Sequence, residues 1–182
     1  DGLCLLEFAD RPSLEREAQD LARLLSRPFV ADPTVDHSSG APSASRSTAD
    51  SERDQHGDGA HIWPGIEHLA LVERELAAYF AGESKDFTVT LSLPGSPFER
   101  RVWAALQRIP YGETTSYGRL AFRLGSPGAA RAVGRANGRN RVSIVIPCHR
   151  VIHEDGTLCG YGGGLHRKAK LLHLERDVEH QG

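Results

Sequence analysis

Pro147-Cys148-His149-Arg150 sets a thiol, an imidazole and a guanidinium side by side. The thiolate is the nucleophilic form of cysteine, and basic neighbours favour it. His149 and Arg150 are therefore expected to activate Cys148. The preceding Ile144-Val145-Ile146 is a β-branched run, which predicts a short buried strand, and Pro147 would end its ladder. A strand end is a rigid mount for a reactive group. Cysteine is also among the most buried residue types, so the surroundings must decide between nucleophile and core packing.

The surroundings are basic. Residues 98–150 carry 10 arginines and 2 glutamates, a net of +8, whereas residues 1–97 carry 8 basic and 17 acidic residues, a net of −9. An arginine block of this kind is a footprint for a polyanion, and guanidinium suits bidentate phosphate contacts. The three cysteines, Cys4, Cys148 and Cys159, show no disulfide spacing, which fits a reducing, cytoplasmic setting. No run is long enough for a membrane span, and no signal peptide is visible. The chain lacks methionine and opens on Asp1-Gly2 directly before an apolar run, from which we expect a longer precursor.

Several elements must position the thiol. Leu3–Phe8 reads as a strand and Ser13 as the N-cap of a helix carrying Leu14, Ala18, Leu21 and Leu25. Cys4 is read as core. Residues 31–62 are rich in Ser, Asp, Gly, Pro and His, too polar to offset their ordering entropy, and are expected to form a mobile insertion. Its His37, His56 and His61 match no metal-ligand spacing. Ile66 to Phe80 has a helical stripe of Ile66, Leu69, Val72, Leu76, Tyr79 and Phe80. Phe87–Leu93 alternates like a half-buried strand and ends at Pro94-Gly95, where the charge changes sign and a domain boundary is expected. Ser96-Pro97-Phe98-Glu99 is a capping box, opening a helix predicted to run to Pro110.

Thr114 to Gly125 predicts a short helix with Gly125 as its C′ residue, and Gly128 to Asn137 a second. Helix, glycine turn and helix make a helix-turn-helix. The second helix is mostly Ala, Gly and Val, slim enough for the minor groove, with Arg131 long enough to enter the base stack. Asn140 is placed to brace the turn before the reactive segment. Gly160-Tyr161-Gly162-Gly163-Gly164 would let backbone N–H groups approach a planar ligand, with Tyr161 as a wall. Cys159 has no charged neighbour in sequence and reads as a bystander. A final helix is expected over Leu165 to Arg176.

Pro147-Cys148-His149-Arg150-Val151, the Tyr117 helix, Arg131-Ala132-Val133-Gly134, Asn140 and Gly160-Tyr161-x-Gly163-Gly164-Leu165 together resemble the O6-alkylguanine-DNA alkyltransferase family over residues 96–176. The first 93 residues are similar to that family's N-terminal domain more loosely. The resemblance implies a ribonuclease-H-like α/β domain over 1–93 and a mainly α domain over 94–182, with a winged helix-turn-helix bearing the site. It implies stoichiometric transfer of an alkyl group from guanine O6, with thymine O4 as a second candidate, in duplex DNA to Cys148. His149, oriented by Glu175, would take the thiol proton through a water. Tyr117 would donate to the flipped base, and Asn140 would brace the turn. Thr115, Ser116, Ala129, Ala130, Arg131 and Arg135 would meet DNA, Arg131 filling the vacated stack. Cys148, Val151, Tyr161 and Gly162 would line the base.

No cofactor or metal is called for, and a monomer associated with the nucleoid when bound to DNA is expected. The rival readings are a non-catalytic helix-turn-helix regulator, a cysteine hydrolase and a zinc protein. The regulator is disfavoured because related non-catalytic proteins replace the cysteine. A hydrolase would want its histidine from elsewhere in the chain, and the ligand spacing disfavours zinc.

Overall fold

The computed structural model describes residues 3, 5–7, 16, 19 and 66–181. Cys4, most of the Ser13 helix and the 31–62 insertion with its three histidines lie outside the described residues. Arg16 and Gln19 are helical.

The ordered elements are α1 (Ile66–Phe80), α2 (Pro97–Leu106), β1 (Thr115–Ser116), α3 (Tyr117–Arg123), α4 (Ala130–Gly138), β2 (Val151–Ile152) and α5 (Leu165–Gln181), with a 3-10 turn at Cys148–Arg150. Among the described residues, no helix is long and apolar enough to cross a membrane. β1 and β2 pair in parallel, Thr115 with Val151 and Ser116 with Ile152. This pairing carries the start of α3 to the residue just after the 3-10 turn.

Helix starts and stops follow local chemistry. The Ser96 side chain accepts from the Glu99 N–H at 3.3 Å, and Glu99 Oε2 accepts from the Ser96 N–H at 2.8 Å, the reciprocal capping box that the sequence predicts. Glu99 also takes Arg139 Nη1 at 2.7 Å, joining the start of α2 to the end of α4. That hydrogen bond, ahead of the cost of burial and the help from Ser96, holds its carboxyl at about 2. α3 ends as expected: Gly125 follows the Leu124 cap at φ +68°, a left-handed conformation that glycine adopts without a Cβ penalty. α2 stops at Leu106 rather than at Pro110, because the chain tightens first, with Ile109 N–H donating to Leu106 O at 3.0 Å.

Two predicted strands are not strands. Ile144-Val145-Ile146 is a tight turn: Ile144 sits at φ +72°, Val145 N–H donates to Ser143 O at 2.9 Å, and Ile146 N–H reaches back to Val142 O at 3.0 Å. Positive φ is a strained state for a β-branched residue. It is held here by burial, since Ile144, Val145 and Ile146 are all buried. Tertiary packing thus overrides the β preference of the run. Phe87–Leu93 forms no ladder among the described residues either. Among the described residues it makes a single parallel bridge, Leu91 to Leu3, with Leu3 N–H donating to Thr90 O at 2.7 Å and Ser92 N–H to Leu3 O at 2.9 Å. Three residues on, Leu6 bridges Val142. The N-terminal segment therefore runs between the 90–92 and 141–143 segments.

One apolar cluster holds these parts together. Val72 and Val89 join Val102, Trp103, Leu106, Leu120, Val133, Val142, Ile146 and Val151 in it, so buried contacts cross the charge boundary at residue 94. The α1 stripe is only partly interior: Val72 and Tyr79 are buried, whereas Leu69 and Phe80 are exposed. Trp103 Nε1 donates to Ala136 O at 2.9 Å and fastens α2 to α4.

Candidate active site

The site is built where the 3-10 turn meets α5. Cys148, His149 and Arg150 are all buried. Asn140 anchors the turn from behind. Its Nδ2 donates to Ile146 O at 2.9 Å and to Cys148 Sγ at 3.1 Å, and its Oδ1 accepts from Val142 N–H at 3.0 Å. One amide thus ties the strained turn to the Cys148 sulfur. A donor aimed at sulfur also favours negative charge there.

His149 points the other way, into α5. Its Nε2 lies 2.8 Å from Glu175 Oε1, both side chains being wholly buried. A carboxylate only accepts, so Nε2 carries the hydrogen and the neutral ring leaves a lone pair on Nδ1. Nδ1 is buried with no hydrogen-bond partner among the described residues. Burial, outweighing the attraction of Glu175, lowers the imidazole below its ordinary range, so the ring is neutral near pH 7.

Glu175 is the hub. Besides His149 it accepts from Arg150 Nε at 2.9 Å, from Arg150 Nη2 at 2.9 Å, from the Tyr79 hydroxyl at 2.7 Å and from Gly112 N–H at 3.3 Å. Burial alone would raise its carboxyl, but the hydrogen bonds from His149 and Arg150, with the charge of Arg150, prevail and hold it at about 2. Gly112 can present its N–H because it sits at φ +75°, and a Cβ there would lie 2.6 Å from Glu179 Cγ. Burial above all, then the neighbouring Glu175, pushes the Tyr79 phenol far up. The Arg150 guanidinium donates its hydrogens to Glu175 and, through Nη1, to Ile109 O at 2.6 Å.

Across the turn, Tyr117 is half-buried, and burial above all raises its phenol. Cys159 Sγ lies 3.3 Å from the Tyr117 oxygen. Lys168, wholly buried, donates through Nζ to Val151 O at 2.6 Å, to Cys159 O at 2.9 Å and to Cys159 Sγ at 3.8 Å. Cys159 is therefore not the bystander that its sequence neighbours suggest.

The 6-O-methylguanine DNA methyltransferase DNA-binding domain matches residues 97–177. A methylated-DNA–protein-cysteine methyltransferase of Mycolicibacterium paratuberculosis is 65% identical over 102 residues, covering 56% of this chain and 62% of that protein. One from Methanosarcina acetivorans is 55% identical over 109 residues, covering 60% of this chain and 70% of its own. The chain belongs to the methylated-DNA–protein-cysteine methyltransferase family. Mycobacterium tuberculosis OGT, crystallised in complex with DNA, is similar at a TM-score of 0.60 and 55% identity over 60% of this chain and 68% of that one. This family member spans 62% of the length of the mycobacterial relatives that it matches.

The remaining residues singled out in the sequence fall around the same turn. Val151 is buried directly after it, and Tyr161 packs edge-on to His149 with ring centroids 6.5 Å apart. Gly162 is exposed. On α4 Arg131 and Arg135 are exposed, with Ala130 and the N-cap Ala129 half-buried. Thr115 and Ser116 are buried in β1, where the Ser116 hydroxyl caps α3 by accepting from Arg119 N–H at 3.2 Å and donates to Glu154. Sequence reasoning missed Tyr79 and Lys168. Lys168 had a signal: Lys168, Leu171, Leu172 and Glu175 follow the i, i+3, i+4, i+7 pattern of a buried helix face, and a charge on such a face needs a partner.

Proposed function

We propose that this protein repairs DNA by moving an alkyl group from guanine O6 to Cys148, once per molecule. The observation that carries this is the unbroken series Asn140–Cys148 and His149–Glu175: a sulfur held by an amide donor, next to a neutral imidazole whose inner nitrogen is fixed by a carboxylate. His149 Nδ1 takes the thiol proton through one water. Sulfur attacks the alkyl carbon, the C–S bond forms as the C–O6 bond breaks, and the electron pair leaves with guanine. Tyr117, kept as a phenol by burial, donates to the departing base and stabilises the charge that develops on it. The thioether product does not hydrolyse, so the protein does not turn over. Thymine O4 is the second substrate position to test.

An O6-alkyl group lies inside the duplex, so the nucleotide must rotate out. The slim α4 suits the minor groove. Arg131 fills the stack, with Thr115, Ser116, Ala129, Ala130 and Arg135 alongside the backbone, while Val151, Tyr161 and Gly162 line the base pocket. In this reading 94–182 is a winged helix-turn-helix domain acting as a monomer in the cytoplasm, at the nucleoid when bound to DNA, and 1–93 is a ribonuclease-H-like partner domain with an insertion at 31–62.

The direct test is mass spectrometry after incubation with duplex DNA containing O6-methylguanine. The peptide holding Cys148 should gain one methylene of mass, stoichiometrically. Label on Cys4 or Cys159 instead contradicts the assignment. Arg131→Ala should slow repair of duplex DNA by about tenfold or more, the worth of one good interaction, yet leave reaction with free O6-benzylguanine nearly intact. Equal loss on both substrates would remove Arg131 from base extrusion.

A further inference from the structure

A second buried thiol stands against the phenol of Tyr117. Cys159 Sγ touches the Tyr117 hydroxyl on one side and the Lys168 ammonium on the other, at 3.3 and 3.8 Å. Either sulfur or phenol can donate in the first contact, but the second has one direction only. An ammonium has three hydrogens and no acceptor site, and the three oxygen and sulfur atoms near Lys168 Nζ account for all three. Sulfur therefore receives from Lys168 and keeps its own hydrogen to give. Two acceptors lie within its reach, Tyr117 Oη at 3.3 Å and Val151 O at 3.7 Å. The nearer is the phenol, and Val151 O already takes the Lys168 hydrogen at 2.6 Å.

We propose that Cys159 is a positioning residue for Tyr117: its S–H donates to the phenol oxygen, which turns the phenol's own hydrogen outward to the substrate base. The chain of donors then runs one way, from Lys168 through Cys159 to Tyr117, and each link strengthens the next. A phenol that instead spent its hydrogen on sulfur would present only a lone pair to the guanine, the wrong polarity for a leaving group gaining negative charge. The role rests on the alkyl-transfer reading above.

Two measurements separate the two ideas. The S–H stretch lies clear of other protein absorption and moves down when the thiol donates. The band lost in Cys159→Ala identifies Cys159, and in Tyr117→Phe that band should move up. A band that stays put overturns the proposal, because the phenol is then the donor. In single-turnover transfer from O6-methylguanine duplex, Cys159→Ala should be slowed about tenfold, as for one well-placed hydrogen bond, with affinity for unmodified duplex unchanged. Cys159→Ser, which retains a donor, should recover most of the rate. In a Tyr117→Phe background, Cys159→Ala should cost nothing further. Independent, multiplying losses, or no loss in Cys159→Ala alone, would reduce Cys159 to packing. If the unsubstituted protein moves no methyl to Cys148, the transfer reading itself falls and Cys159's role in it goes too, whatever direction the S–H band reports.

Discussion

His149 carries the clearest consequence of a single side chain's surroundings. A buried imidazole bound to a carboxylate is pulled two ways, upward by Glu175 and downward by desolvation, and desolvation prevails. The proton-accepting form therefore persists below the ordinary histidine value of about 6.5. Single-turnover transfer measured between about pH 5 and about pH 8 should be flat through neutrality and fall only below that value. An acid limb centred at or above it would show that His149 is not the base. Stability follows the same direction. Glu175, at about 2 against an ordinary 4.5, contributes stability that is present above pH 4.5 and is lost as pH falls toward 2. His149 adds to the acid-side loss, because the unfolded chain takes its proton first. Glu175→Gln leaves Arg150 buried without its counter-charge and should cost about 3–5 kcal/mol in urea unfolding, the usual result of breaking a buried pair from one side.

Helices and turns set where these side chains stand. α2 begins on a capping box whose Glu99 also grips Arg139, just after α4. Ser96→Ala removes one half of that box and should lower stability by about 1 kcal/mol, seen as a lower urea midpoint at unchanged slope. A changed slope would mean that the cap shapes more than the start of a helix. The 142–146 turn is the less expected element. Its apolar run has the composition of a strand, yet Asn140 closes it from within by bonding Val142, Ile146 and Cys148. The same amide that closes the turn thereby holds the buried sulfur of Cys148.

Charge is distributed over the whole molecule in blocks. The +8 of residues 98–150 against the −9 of residues 1–97 makes one region of the sequence attractive to a polyanion and the other repulsive to it. On the proposed reading, binding to duplex DNA should weaken steeply with salt, its logarithm falling in proportion to the number of phosphates neutralised. A flat response in a titration of ionic strength would contradict a phosphate-dominated interface. Arg131 and Arg135 are exposed on α4, while Arg139 is drawn to Glu99 and Arg150 is buried against Glu175. The effective number of phosphate contacts should therefore be smaller than the count of arginines.

How much could be read from residues alone depended on the range of the interaction. The capping box at Ser96 and the glycine stop at Gly125 are local patterns, and local sterics and hydrogen bonding settle them within a few residues. Glu175 as partner of His149 followed from family resemblance rather than from spacing. Four outcomes required the tertiary structure: the 144–146 run as a turn, Arg150 spent on Glu175, Tyr79 joining from α1, and Cys159 between Lys168 and Tyr117. Each joins groups far apart in the chain or sets packing against propensity. Which buried donor meets which buried acceptor is decided when helices dock, because only then does leaving a polar group unpaired become costly.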